Sequence, residues 1–171
     1  MIAKLIQSDY PITRLSNYPI QAAIAFGSNV GDRAAHLSFA VGRLARLLSS
    51  LKTSRWYDTD WVGAEPGAHP RVLNGAAVGE ATLSARELLD VLLAIERDRG
   101  RDRSFAGAPR TLDLDLILFG DQVLNEPGLI VPHPRFRERR FVLEPLAEIA
   151  PEMIDPVTGR TVMELLAALT A

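Results

Sequence analysis

Hydrophobic positions along the chain change period several times, and each change marks an element. Ala22 to Phe26 are continuously apolar and stop at Gly27-Ser28-Asn29, the pattern of a strand running into a turn. From Ala34 to Leu48 the residues Leu37, Ala40, Val41, Leu44, Leu47 and Leu48 recur at helical spacing, with Asn29 or Asp32 as the cap. Residues 51–58 read as a strand, residues 60–71 with two Gly and two Pro as a loop, and residues 72–82 as the strand that returns. Ser84 and Glu87 have capping-box spacing ahead of a helix carrying Leu88, Leu89, Val91, Leu92 and Ile95, with Gly100 as its stop. Residues 111–119 alternate most clearly and predict a strand. Gly120-Asp121 then turns into a short strand at Gln122–Leu124. A proline-rich stretch follows, then a helix over 138–149, breaks at Pro151 and Pro156, and a last helix over Thr161–Ala168. The core order, strand–helix–strand–strand–helix–strand, predicts an α+β ferredoxin-like β-α-β-β-α-β plait. Its antiparallel sheet carries helices on one face and is extended by C-terminal helices.

Composition narrows the class. The 171 residues are 47% hydrophobic and 23% charged, near the globular average, with no long apolar run. The absence of Cys excludes a disulfide framework, a thiolate nucleophile and Cys-ligated zinc. A leader over 1–19 and a single domain over 20–171 are expected, in the cytoplasm, as a monomer, without a membrane or nucleic-acid partner. The formal net charge of −2 fits that reading.

The average conceals a segregation. Asp113 and Asp115, at i and i+2 of a strand, point to one face while Leu112, Leu114 and Leu116 point to the other. Such a pair is either a hard-cation site, suited to Mg²⁺, or the solvated face of an edge strand. Arg97, Arg99, Arg101, Arg103 and Arg110 precede it, and Arg135, Arg137, Arg139 and Arg140 follow it. Arginine forks match phosphate oxygens, although Arg97 and Arg99 read as the exposed end of a helix. His133 between Pro132 and Pro134 sits on a stiffened backbone, either as a phosphate donor or as a plain turn residue. Gly27-Ser28-Asn29-Val30-Gly31-Asp32 has neither a Walker nor a dinucleotide-binding spacing, so phosphate binding falls to the arginines and the metal. A base-stacking plait would show aromatics where Asp113 and Asp115 stand, and a metal phosphodiesterase would show a His cluster.

Three segments, Phe26-Gly27-Ser28-Asn29, Val72-Leu73-Asn74-Gly75-Ala76-Ala77 and Ala108-Pro109-Arg110-Thr111-Leu112-Asp113-Leu114-Asp115, are joined by Val131-Pro132-His133-Pro134 and Arg139-Arg140-Phe141-Val142-Leu143-Glu144-Pro145-Leu146. Together these segments resemble the 6-hydroxymethyl-7,8-dihydropterin pyrophosphokinases of folate biosynthesis, from about Ala22 to Leu169. The resemblance implies transfer of pyrophosphate from ATP to the pterin hydroxymethyl group, leaving AMP. It implies Asp113 and Asp115 as ligands of two Mg²⁺ ions, with Asp115 helping to activate the hydroxyl. It also implies Arg101 and Arg110 as catalytic phosphate-binding arginines, and Glu96, His133 and Arg139 as further ATP-site residues. Asn74, Phe141 and the loop at Trp61, Val62 and Gly63 would bind the pterin. Val72 stands where some members carry a second stacking aromatic. The loops at 60–71 and 102–109 would be mobile lids.

Overall fold

The computed structural model describes residues 18–101 and 110–170; the expected leader and the lid at 102–109 lie outside these. The chain runs β1 (Ile20–Ser28), α1 (Arg33–Leu47), β2 (Ser49–Thr53), β3 (Tyr57–Thr59), β4 (Val72–Ala81), α2 (Ala85–Asp98), β5 (Asp113–Phe119), β6 (Leu124–Glu126), β7 (Leu129–Val131), a 3₁₀ turn (Phe136–Glu138), α3 (Arg140–Ile149) and α4 (Val162–Thr170). Strands β2-β4-β1-β5 pair in that order, all antiparallel, and β3 also pairs with β4.

Local signals start the helices where the sequence places them. The Asp32 carboxylate accepts from Ala35 N–H at 3.0 Å and caps α1. Ser84 and Glu87 exchange the two bonds of a capping box at the start of α2.

Strand alternation distributes the core over two faces. Ala22, Ile24 and Phe26 of β1 join Ala77 and Ala81 of β4 and Leu112, Leu114 and Leu116 under α1 and α2. Ala23 and Ala25 join Ala76, Val78, Ile117 and Leu118 on the other face, under Phe136, Val142, Leu143, Leu146 and Leu165. Helices therefore cover both faces, where the sequence reading had placed them on one. The C-terminal extension is the second layer, because the apolar stripes of α3 and α4 need a sheet face to bury against. A register shift between Ala23 and Ile24 steps over Ile117, which lets Ile117 and Leu118 share the α3 face.

Two further expectations are corrected. The strand expected over 51–58 is two strands, interrupted at residues 54–56. The buried Ser54 hydroxyl accepts the Ala76 N–H at 3.0 Å there, and the chain leaves the ladder. The short strand expected at Gln122–Leu124 lies at Leu124–Glu126 and pairs with Leu129–Val131 across Pro127-Gly128. Gly128, at φ 72°, allows that hairpin within a stretch read only as proline-rich.

Beneath α1 and α2, Gly75 faces the ring of Phe26. A Cβ at residue 75 would come within 2.4 Å of Phe26 Cε2. Gly75→Ala should therefore cost about 1–3 kcal/mol by overpacking. Phe26→Leu in the same chain should recover most of that loss, so that the two substitutions are non-additive. Urea denaturation of the single and double variants measures the coupling, and additive effects would contradict the packing.

Candidate active site

The site lies on the α3 face of the sheet, where the central strand is stripped of side chains. Gly27 pairs with Asn74 on one side and with Asp113 on the other; Ala25 pairs with Ala76 and Asp115. Residues in register across neighbouring strands share a face. Asn74, Asp113 and Asp115 therefore flank Gly27, Ala25 and Ala76 on one face, and the two alanines are buried beneath α3. A Cβ on Gly27 would stand 3.1 Å from the Asn74 Oδ1, so glycine leaves room for that amide. The Asn74 Nδ2 donates to Thr59 Oγ1 at 2.8 Å, which fixes the amide from β3.

Asp113 is the point of convergence. Arg101 and Arg110 each donate to one of its oxygens through Nη1. Arg101 also donates to Glu96 Oε1 at 2.6 Å, and the same oxygen accepts from Leu114 N–H at 2.7 Å. Glu96 is 1% exposed. The sequence reading placed it among the ATP-site residues, but its carboxylate lies behind Arg101 and holds that arginine from the rear. Burial raises the Asp113 pKa, but Arg101 and Arg110 outweigh burial and hold it below the ordinary aspartate value. Among the described residues, Asp115 has no arginine at that range. Burial first, and then repulsion from Asp113, push its pKa up to about 6. The pair does not form the open solvent face expected of an amphipathic strand. It is partly buried, with the Asp113 side chain 20% exposed.

Asn29, read as a possible helix cap, instead anchors Arg110. Its Oδ1 accepts the Arg110 N–H at 2.7 Å, and its own N–H donates to the Arg110 carbonyl at 3.1 Å. The Arg110 guanidinium lies 5.7 Å from the Trp61 ring centre, and Trp61 stacks on His69 at 5.3 Å. The loop at 60–71 is tied at its base. Asp58 pairs with Arg33 and Arg71, each at 3.1 Å, and Arg71 reaches Asp60 at 2.6 Å. Sequence reasoning missed Asn29, His69 and this base network, because partners 8 to 81 residues apart leave no local pattern. Val62 is exposed and Gly63 adopts φ 89°, a turn conformation.

On the other side of the carboxylates, His133 N–H donates to Ile117 carbonyl at 2.9 Å. Its Nδ1 accepts the Arg135 N–H at 3.2 Å, so the proton of the neutral ring resides on Nε2. Burial, then the charges of Arg139 and Arg135, lower the His133 pKa to about 4, so the ring is neutral at pH 7. Arg139 lies 5.6 Å from the Phe141 ring centre and makes no ion pair among the described residues. Arg99, expected at an exposed helix end, instead donates to His36 Nδ1 at 2.9 Å on the α1 side of the fold.

The site thus combines a carboxylate pair, arginines on both flanks, a neutral imidazole donor and a buried side-chain amide. On an α+β antiparallel scaffold, that combination fits a phosphoryl-transfer enzyme. The sequence profile of the 7,8-dihydro-6-hydroxymethylpterin-pyrophosphokinase family (HPPK) matches residues 23–151, and the chain belongs to that family. A 2-amino-4-hydroxy-6-hydroxymethyldihydropteridine pyrophosphokinase of Pseudomonas aeruginosa is 42% identical over 147 residues, covering 85% of this chain and 89% of the relative. Its Synechocystis counterpart is 41% identical over 148 residues, 85% and 74% of the two chains. The Bacillus subtilis one is 44% identical over 140 residues, 81% and 83%. Among solved structures, wild-type Plasmodium falciparum HPPK-DHPS superposes with a TM-score of 0.68 at 13% identity. The match covers 88% of this chain and 44% of that one, and supports the fold. This chain spans less than half of that protein.

The two aspartates should titrate apart. In metal-free protein, carboxyl ¹³C shifts should place Asp115 near pH 6 and Asp113 below the usual range. Asp113→Asn should lower the Asp115 value by removing the repulsion while leaving the burial contribution. An unchanged Asp115 titration would show that the two carboxylates do not interact.

Proposed function

We propose that this chain transfers the pyrophosphoryl group of ATP to the hydroxymethyl group of 6-hydroxymethyl-7,8-dihydropterin, with Mg²⁺ as cofactor. The observation that carries this reading is the Asp113–Asp115 pair, set between arginines on both flanks and across β1 from Asn74.

The donor chemistry suits magnesium. Two carboxylates offer hard oxygens on one face, and their mutual repulsion favours a cation between them. Among the described residues no cluster of three or more Asp, Glu, His or Cys forms a cage. A metal that takes one or two carboxylates and completes its shell from water and phosphate fits such a site. Bound there, Mg²⁺ would supply charge neutralisation on the triphosphate.

The remaining work belongs to the protein. The hydroxymethyl oxygen attacks the β-phosphorus, the bond from that phosphorus to the α–β bridging oxygen breaks, and AMP leaves. Arg101 and Arg110, which pair with Asp113 in the structure, would turn to the phosphate oxygens as charge develops there. Arg139 and the Nε2–H of His133 bind the nucleotide phosphates from the opposite flank. Asp115, ionised above pH 6, accepts the hydroxyl proton directly or orients the hydroxyl. Asn74 reads the heterocycle's edge, and Phe141 and Trp61 supply aromatic faces where Val72 has none. The loop with Trp61, Val62 and Gly63 covers the acceptor and excludes water that would compete for the phosphorus.

Phosphorus NMR of ATP, Mg²⁺, protein and the hydroxymethyl pterin should show AMP and a pterin diphosphate rising together; ADP as product would refute the reading. Asp113→Ala and Asp115→Ala should each cost at least about 10³-fold in turnover, an oxyanion-site scale of loss. Mg²⁺ should raise the melting temperature of the wild type at pH 8 and leave that of Asp115→Asn unchanged. Arg110→Ala should lower kcat by about 10²-fold with the pterin Kd nearly constant, because its charge acts on the phosphates. Loss of pterin affinity alone would remove it from that role.

A further inference from the structure

Asp155 is a fully buried carboxylate, 0% exposed, on the turn between α3 and α4, distant in sequence from every residue assigned above. It accepts from Arg137 Nε at 2.6 Å and from Arg137 Nη2 at 2.8 Å, a two-point grip. Its own orientation is set in advance. Thr158 Oγ1 donates to it at 2.6 Å and Val157 N–H at 3.1 Å. The turn is closed by Asp155 N–H to the Arg160 carbonyl at 2.9 Å and by Gly159 N–H to the Asp155 carbonyl at 2.8 Å. A buried ion pair of this kind is weak evidence for stability, since a well-packed apolar pair serves as well. Geometry is the better account of its presence.

Arg137 lies in the 3₁₀ turn between His133 and Arg139. That segment is tied to β5 at its start by His133 N–H and sunk into the core at Phe136, which is 0% exposed. Arg137 packs over the Phe136 ring at 4.8 Å. Three arginines, 135, 137 and 139, alternate along a few residues, and Arg135 and Arg139 repel each other. Among the described residues, Arg135 and Arg139 make no ion pair, whereas Arg137 is held by Asp155. The grip takes one positive charge out of the crowd and fixes the turn from which the other two and His133 project.

We propose that Asp155, acting through Arg137, is a positioning residue for the nucleotide half of the site: it sets the 3₁₀ turn that presents His133 and Arg139 to the phosphates. The proposal rests on the ATP-site reading above. It predicts a defect centred on the nucleotide, because Asn74 and the loop bearing Trp61 lie outside this turn, and Phe141, the one acceptor residue next to it, is carried by α3, whose core packing through Val142, Leu143 and Leu146 holds it independently.

The test is calorimetric titration with Mg²⁺ and α,β-methylene-ATP, and separately with the hydroxymethyl pterin, on wild type, Asp155→Asn and Arg137→Lys. Arg137→Lys keeps a counter-charge on the buried carboxylate, so it remains folded even where Asp155→Asn does not. Both variants, checked for folding by circular dichroism, should raise the nucleotide Kd about five- to tenfold and leave the pterin Kd within twofold. A nucleotide Kd within twofold of wild type in folded Arg137→Lys would overturn the proposal. So would a Kd raised in Arg137→Lys but unchanged in folded Asp155→Asn, which would make Arg137 a direct phosphate contact. Failure of wild type to bind the nucleotide at all would instead refute the ATP-site reading.

Discussion

Three charged side chains meet at Asp113, and the geometry around it depends on that meeting. A partly buried carboxylate on a strand facing a helical layer is costly unless paired. Arg101 and Arg110 pair with it, and each is fixed by a separate anchor: Glu96 behind Arg101, Asn29 beneath Arg110. Those anchors join α2, β1 and β5 at one place. The Glu96 carboxylate also accepts the outward Leu114 N–H, so the residue that holds Arg101 also caps the edge of the strand carrying the aspartates. Among the described residues Asp115, two positions along the strand, has no such ion pair, and the contrast in pKa between the two carboxylates follows from that difference.

Small residues on β1 are the complementary constraint. Alanines at 23, 25 and 76 let α3 pack close on the central strands and are buried by it, and Gly27 follows where Asn74 and Asp113 flank β1. A larger side chain at residue 27 would meet Asn74. Under the proposed reading, Asn74, Phe141 and the loop bearing Trp61 recognise the acceptor while the aspartate side carries the chemistry. The register of β1 with β4 and β5 sets Asn74 and the two aspartates on either side of one strand.

Motif-bearing parts of the site were legible in the chain. The i, i+2 spacing of Asp113 and Asp115 put both on one face, and His133 between prolines stood out. Glu96 was visible as a family position, but its role was not, because burial behind Arg101 is decided by how α2 packs on β5. Asn29 looked like a helix cap, and Asp32 took that place. Nothing local marked Asp155, His69 or the Arg33–Asp58–Arg71 network, since each depends on a partner brought close only by folding.

Local pattern by itself determined the order of the main strands and helices, the capping of α2 and the common face of the two aspartates, because these depend on neighbours within a few residues. Tertiary structure alone decided the rest. It placed helices on both faces of the sheet, since α3 and α4 must bury their own apolar stripes. It split the strand at residues 54–56, where the Ser54 hydroxyl competes with the ladder. It also separated the acidities of Asp113 and Asp115. Two aspartates with the same spacing and the same chemistry titrate apart because electrostatic energy depends on distance through space, and only the fold sets those distances.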